Sequence, residues 1–127
     1  MAANDKWLAQ IQEDIIDPDL PICDPHHHLW GHRDGNVEPR YLMDEIQQDV
    51  QSGHNIASTV FIECHAMYRA EGPAEMRPVG ETEFVAGIAA MSASGLYGKT
   101  RVAAGIVGFA DLSLGDRLDA VLEAHIR

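Results

Sequence analysis

Apolar positions recur with two different periods along the chain, and the two periods predict an alternation of helices and strands. Near the N-terminus, apolar residues at 7, 8, 11 and 15 have the spacing of an amphipathic helix, which "DPDLP" at 17–21 ends. Helical spacing or an Ala-rich composition predicts further helices over 41–53, 81–98 and 115–127. Short β-branched runs predict strands over 20–24, 55–64 and 101–112, the last two buried on both faces.

The order of these elements predicts the fold class. After the first helix, a strand, a loop and a helix follow one another three times, which favours an α/β protein with a parallel sheet and crossover connections. We therefore expect a helical extension over 1–19 and one α/β unit over 20–127. The long Gly- and Pro-containing segment 65–80 is predicted to be a loop of the kind that often has a function.

Composition narrows the choice of partners. The chain has 127 residues, 46% of them apolar, which suits one globular domain. It has 9 Lys and Arg against 20 Asp and Glu and no basic cluster, which argues against nucleic acid and anionic membranes as partners. The first residues lack a basic start and an apolar run, so we expect a cytoplasmic protein. Cys23 and Cys64 are predicted to be reduced thiols.

The segment "CDPHHHLWGH" at 23–32 contains four of the seven histidines. On a strand, the period of two places His26 and His28 on one side with Cα atoms roughly 6 to 7 Å apart, close enough to share a metal ion. His27 then faces the other side. Asp24 lies on the side of the ligands, as a third ligand or as a support for an imidazole. Alternatively, these polar residues gather only because a strand enters a surface loop there.

The motif Asp-x-His-x-His at 24–28 resembles that of a known family. It is similar to the first-strand motif of the amidohydrolase-related metal-dependent hydrolases, which are TIM barrels, and the following Leu29 and Trp30 resemble the lactonase-like branch. Residues 60–98 and 101–112 also resemble the second and third βα units of that family. The resemblance covers residues 20–127 and implies roughly the first three βα units of a (β/α)₈ barrel.

The resemblance implies a function for the histidine pair. In this family His26 and His28 would bind a divalent metal, zinc or alternatively manganese, at the carboxyl end of the first strand. Such an ion activates water and polarises a carbonyl, as hydrolysis of a small lactone, amide or carboxylated substrate requires. One branch of lactonases departs from this, since its histidines are thought to hold the substrate without metal. No catalytic acid or base is identified.

Further candidates lie where the later strands end. Glu63 and His65 follow the second strand, Tyr68 and Arg69 lie just beyond, and Asp111 follows the third strand. These five residues are predicted to contact substrate, with Arg69 forming a fork on a substrate carboxylate. The alternative is that polar residues occur at strand ends because solvent begins there.

Three strands are fewer than the eight of a full barrel, which usually needs about 200 to 250 residues. Three interpretations follow: the N-terminal part of a hydrolase, a non-catalytic piece that pairs with itself or with a partner supplying the other strands, or a small flavodoxin-like binding domain with an incidental histidine pair. In the first two, the unpaired side of the third strand favours self-association.

Overall fold

The computed structural model describes residues 5–33 and 40–126, and these residues form an α/β fold with one parallel sheet. The sheet has three strands in the order β1, β2, β3, each paired in parallel with the next. This confirms the predicted fold class and sheet type. The elements in chain order are α1 (Asp5–Leu8), β1 (Ile22–His27), α2 (Met43–Val50), β2 (Ile56–Ile62), α3 (Val79–Ala93), β3 (Arg101–Val107) and α4 (Leu118–Ile126), with 3₁₀ turns at Ala74–Met76 and Leu112–Arg117.

The core lies between the sheet and helices α2 and α3. Helix α2 begins after Leu42, whose amide donates to the Glu45 carboxylate, and its apolar stripe is buried as its spacing predicts. The chain then turns at Gly53, whose φ of 129° suits glycine. The core cluster consists of Leu29, Met43, Ile46, Val50, Phe61, Val85, Ile88, Val102 and Ala103.

The predicted N-terminal helix is wrong beyond Leu8. Helix α1 has one turn, and residues 11–16 form neither helix nor strand. Trp7 is 69% exposed and Ile11 is 76% exposed, so the predicted apolar face has little core to pack against. A short helix without tertiary packing is marginal in water, which explains why the spacing alone does not produce one.

The strands are buried less completely than their composition predicts. In β2, Thr59 and Phe61 are fully buried on the side of the helices, whereas Ala57 is exposed. In β3, Arg101 and Val107 are exposed. Burial on both faces is therefore wrong for the ends of these strands: Ala57 lies on the same face as Thr59 and Phe61, so the helices leave the end of that face uncovered.

The last helix starts later than predicted and packs through fewer residues. The chain forms a 3₁₀ turn over Leu112–Arg117, and α4 begins only at Leu118. Val121 is fully buried, whereas Ile126 of the same predicted stripe is 85% exposed. Among the described residues, no helix is both long and apolar enough to cross a bilayer.

Candidate functional site

The three consecutive histidines point to both faces of the sheet at the carboxyl end of β1. The Nε2 atoms of His26 and His28 lie 3.3 Å apart, while His27 is buried on the opposite side. This confirms the predicted division of the histidines. Pro25 has no N–H to pair with β2, and the register slips between Asp24 and His27. The Asp24 carboxylate accepts a hydrogen bond from the His26 backbone amide at 3.1 Å, so it holds the backbone of this irregular turn.

A backbone carbonyl of the neighbouring strand orients the His28 ring. His28 Nδ1 lies 2.8 Å from the Ile62 carbonyl oxygen at the end of β2. Because a carbonyl only accepts, Nδ1 is the nitrogen that donates, and Nε2 of the neutral ring keeps its lone pair. That lone pair points toward His26. In this pair, the His28 imidazole is held in place by the Ile62 carbonyl, whereas the His26 imidazole is exposed.

The spacing of the two nitrogens fits two ligands of one metal ion. Zinc binds imidazole nitrogen at about 2.0 to 2.1 Å, and two nitrogens 3.3 Å apart then subtend about 105° at the ion, close to the tetrahedral angle. A ligating histidine typically donates its other N–H to a carbonyl, as His28 does to Ile62. Within residues 5–33 and 40–126, however, no three His, Cys, Asp or Glu side chains converge as a metal site. The described residues therefore provide two ligands.

His27 has a structural role. Its Nε2 lies 2.8 Å from the Thr59 hydroxyl, and the Thr59 oxygen also accepts from the Ala103 amide at 2.9 Å. The same hydroxyl oxygen thus joins His27 to β3. Burial lowers the pKa of His27, which agrees with a neutral ring. The network stabilises an irregular part of β3, where Ala103 has a φ of 51° and the register with β2 shifts.

Three of the predicted substrate contacts come together beyond β2. His65 Nε2 lies 4.0 Å from Glu63 Oε2, and the His65 ring packs 5.4 Å from the Tyr68 ring. The Tyr68 hydroxyl is buried without a hydrogen-bond partner in the described part of the chain. Burial, and then the charges of Glu81 and Glu63, raise the pKa of Tyr68 to about 12, so the phenol stays protonated.

The other two predicted contacts are occupied by neighbouring residues. The Arg69 guanidinium forms a two-pronged ion pair with Glu83, which raises the pKa of Arg69 and lowers that of Glu83. Asp111 accepts from the Ser113 hydroxyl at 2.6 Å and from its amide at 2.9 Å, and these bonds lower the pKa of Asp111. Asp111 thus caps the following 3₁₀ turn, and neither side chain lies beside the histidine pair in any contact the structure shows.

Sequence reasoning missed Glu81, whose side chain is 1% exposed. Its Oε1 accepts from the backbone amides of Cys64 at 3.1 Å and Ala66 at 2.6 Å. In the sequence, an acidic residue at the start of a predicted helix indicates an exposed first turn, because charge there is favourable in solvent too. The one available signal is its position directly after the Pro-containing loop.

A cavity of about 340 Å³ lies next to the segment that carries the histidine pair, although neither His26 nor His28 lines it. It lies between residues 30–33 and residues 64–67, and its wall includes Trp30 and His65. The Trp30 ring is 5.3 Å from the His28 ring, and the Arg33 guanidinium lies 3.6 Å above the Trp30 ring. A small molecule in this cavity would contact an aromatic wall next to His28.

Comparison with known proteins finds no matching family model, no similar curated protein and no similar solved structure. The resemblance of residues 20–127 to the amidohydrolase-related family therefore stays a prediction from the sequence.

Proposed function

We propose that this chain belongs to a metal-dependent hydrolase of the amidohydrolase-related type, with its three βα units forming part of a (β/α)₈ barrel. The substrate would be a small lactone, amide or carboxylated molecule. The observation that supports this most directly is the His26 and His28 pair, with Nε2 atoms 3.3 Å apart at the carboxyl end of β1. In barrel enzymes the active site lies at that end of the strands.

In this proposal His26 and His28 would hold a divalent ion through Nε2, zinc being the first candidate and manganese the second. When bound, such an ion makes water more acidic and polarises the carbonyl of the substrate. The two imidazoles alone fall short of the three protein ligands typical of a catalytic zinc site. The remaining positions would be filled by water, by the substrate or by groups outside the described residues.

The chain's own residues would bind and orient the substrate. The Ile62 carbonyl keeps His28 in one tautomer, so in the neutral ring the Nε2 lone pair is the one that faces a bound ion. Trp30 would provide an aromatic wall on one side of the cavity. His65 lines the same cavity and lies near Glu63, which places an imidazole and a carboxylate within reach of a bound molecule.

The test is zinc binding by titration calorimetry in the wild type and in the His26→Ala/His28→Ala double variant. We expect the double variant to lose measurable zinc binding, because both ligands are gone. His54→Ala is the matched control, since His54 is an exposed histidine at the opposite end of the sheet and should leave binding unchanged.

Two results would contradict the metal site. If the wild type binds no zinc or manganese but hydrolyses lactones, and the double variant does not, the histidines hold substrate in a metal-free reaction. If neither metal binding nor hydrolysis is found, the histidine pair is only a polar strand end.

A further inference from the structure

We propose that Glu81 is a positioning residue for His28, acting through the backbone between β2 and the following loop. The metal-binding part of this inference rests on the proposed function, whereas the orientation of His28 does not. Glu81 contacts neither histidine in the structure. Its effect would pass through residues 62–66, which connect the two.

The cost of burying Glu81 indicates that it has a specific task. A buried carboxylate loses its hydration and is normally compensated by a cation. No salt bridge among the described residues involves Glu81. Its Oε1 is compensated instead by the amides of Cys64 and Ala66 and by its position in the first turn of α3, whereas Oε2 is buried without a hydrogen-bond partner among the described residues.

These two amides flank a strained residue. His65, between Cys64 and Ala66, has a φ of 62°, and Met67 has a φ of 55°. Residues other than glycine in this region cost about 1 to 2 kcal/mol and persist where the surroundings hold them. Because a charged acceptor makes stronger hydrogen bonds than a neutral one, the carboxylate is well suited to hold this backbone.

The first turn of α3 also packs directly on the loop. Gly80, next to Glu81, is buried, and a Cβ at this position would lie 2.7 Å from the Met67 carbonyl oxygen and 2.8 Å from the Arg69 amide nitrogen. Only glycine permits this approach. Helix α3 therefore fixes the loop from two adjacent positions, one by close contact and the other by hydrogen bonds.

The held backbone leads directly to the candidate metal ligand. The Ile62 carbonyl, which orients His28 at 2.8 Å, lies two residues before the first amide that Glu81 binds. The peptide unit that carries this carbonyl is held on the β3 side by the Glu63 amide, which donates to the Val107 carbonyl at 2.9 Å, and on the loop side through the bonds to Glu81. Release of Cys64 and Ala66 would remove the hold on the loop side, and the carbonyl would select the Nδ1–H tautomer of His28 less strictly. His28 Nε2 would then be protonated part of the time and could not bind metal in that form.

The test compares two near-isosteric variants on the full chain. Glu81→Met retains volume but has no acceptor, whereas Glu81→Gln retains an acceptor oxygen. Glu83→Gln is the control, because Glu83 is exposed on the same helix and pairs with Arg69: the change releases the loop at Arg69 but leaves the Cys64 and Ala66 amides bound to Glu81. At about pH 8, where an ordinary imidazole is neutral, long-range ¹H–¹⁵N spectra report which nitrogen of His28 carries the proton.

We expect the Nδ1–H tautomer in the wild type, in Glu81→Gln and in Glu83→Gln, and a mixture of tautomers in Glu81→Met. Zinc affinity should fall about tenfold in Glu81→Met, the low end of the effect of losing a group that orients a ligand. Glu81→Gln should retain affinity within about threefold, since its oxygen still accepts. A folded Glu81→Met protein with the wild-type tautomer would overturn the proposal.

Two further measurements decide the matter if Glu81→Met does not fold. Glu81→Asp keeps the charge but is too short to reach both amides, so it should show the same loss of tautomer, and a wild-type His28 signal there would contradict the proposal. In the wild type, the Cys64 and Ala66 amides should be protected from hydrogen exchange; fast exchange would overturn it too. Absence of zinc binding in the wild type would refute the proposed function alone, because the tautomer and exchange data do not require metal.

Discussion

Helix α3 fixes both ends of the sheet, but it does so with different chemistry at each end. In its last turn, the Ser92 hydroxyl donates to the Thr100 carbonyl and accepts from the Val102 amide, both at 2.9 Å. In its first turn, Glu81 binds the amides of Cys64 and Ala66. Each side chain is almost fully buried and each bridges two backbone groups two residues apart. One is a neutral hydroxyl and the other is a carboxylate.

The backbone that each side chain holds explains the difference. At the amino end of the sheet, the turn before β3 uses Gly95 and Gly98 for its positive φ values of 77° and 91°, and the positive φ of Ala103 further along β3 is held by Thr59 rather than by Ser92. At the carboxyl end, His65 and Met67 take positive φ without being glycine. Strain of this kind concentrates at functional sites, and here both strained residues line the cavity. The stronger acceptor is found where the backbone is less favourable.

The largest effect on stability that we predict comes from Ser92→Ala. This change leaves the buried Val102 amide and Thr100 carbonyl without their partner, so the free energy of unfolding should fall by about 2 kcal/mol. Urea unfolding followed by circular dichroism measures it. Ser94→Ala, at the residue that follows α3, should change stability by less than about 0.5 kcal/mol, because the bonds of the Ser94 hydroxyl to the Met91 carbonyl and the Leu96 amide are exposed and water can replace them.

The comparison also requires that Ser92→Ala leave the candidate site intact. His28 should keep its Nδ1–H tautomer in this variant, because the amino end of the sheet does not hold Ile62. A shift of the His28 signals as large as that expected for Glu81→Met would show that the two ends are not independent.

Removing a glycine at one end of the sheet and introducing a glycine at the other should change the stability of the protein in opposite directions, by less than Ser92→Ala does. Gly95→Ala should destabilise the protein by about 1 kcal/mol through its positive φ alone, since a Cβ there meets no atom within 4 Å. Met67→Gly should be neutral or stabilising by up to about 1 kcal/mol, because relief of the strained φ offsets the greater flexibility of glycine in the unfolded chain. Thermal unfolding of both variants checks the signs. Destabilisation by Met67→Gly as large as that by Gly95→Ala would mean that the loop is not strained.

The sequence predicted those features that depend on local spacing. The period of four in α2 and the β-branched runs of β2 and β3 identify their elements, because the side chains concerned pack directly on the core. The period of two also placed His26 and His28 together, even though Pro25 disturbs the strand. The helix beyond Leu8 failed since its apolar face has no surface to cover, a property that no local pattern contains.

The features that the sequence did not reveal depend on contacts between distant segments. The burial of Glu81 follows from the packing of α3 on a loop 15 residues earlier in the chain. The same applies to Arg69, which is paired with Glu83, 14 residues away. Contacts between residues 14 or 15 positions apart produce no periodic pattern in the sequence. The positive φ of His65 is equally invisible, because residue type favours a different conformation there.

The smallest effect on stability concerns Cys64, and it tests the environment that Glu81 creates. Burial first, and then the charge of Glu81, raise the pKa of Cys64 to about 11. Because the thiolate is the reactive form, about one molecule in a thousand is reactive at pH 8, and iodoacetamide should label the exposed Cys23 well before Cys64. Glu81→Gln removes the negative charge and should speed labelling of Cys64, whereas Glu83→Gln should not.

The raised pKa of Cys64 also means that the fold favours the neutral thiol. Its contribution to stability is therefore complete below the ordinary thiol pKa of about 8.5 and is lost as the pH rises through about 11. Equal labelling rates for the two cysteines in the folded protein, measured by mass spectrometry, would show that Cys64 does not lie in the buried, negatively charged environment that links α3 to the carboxyl end of the sheet.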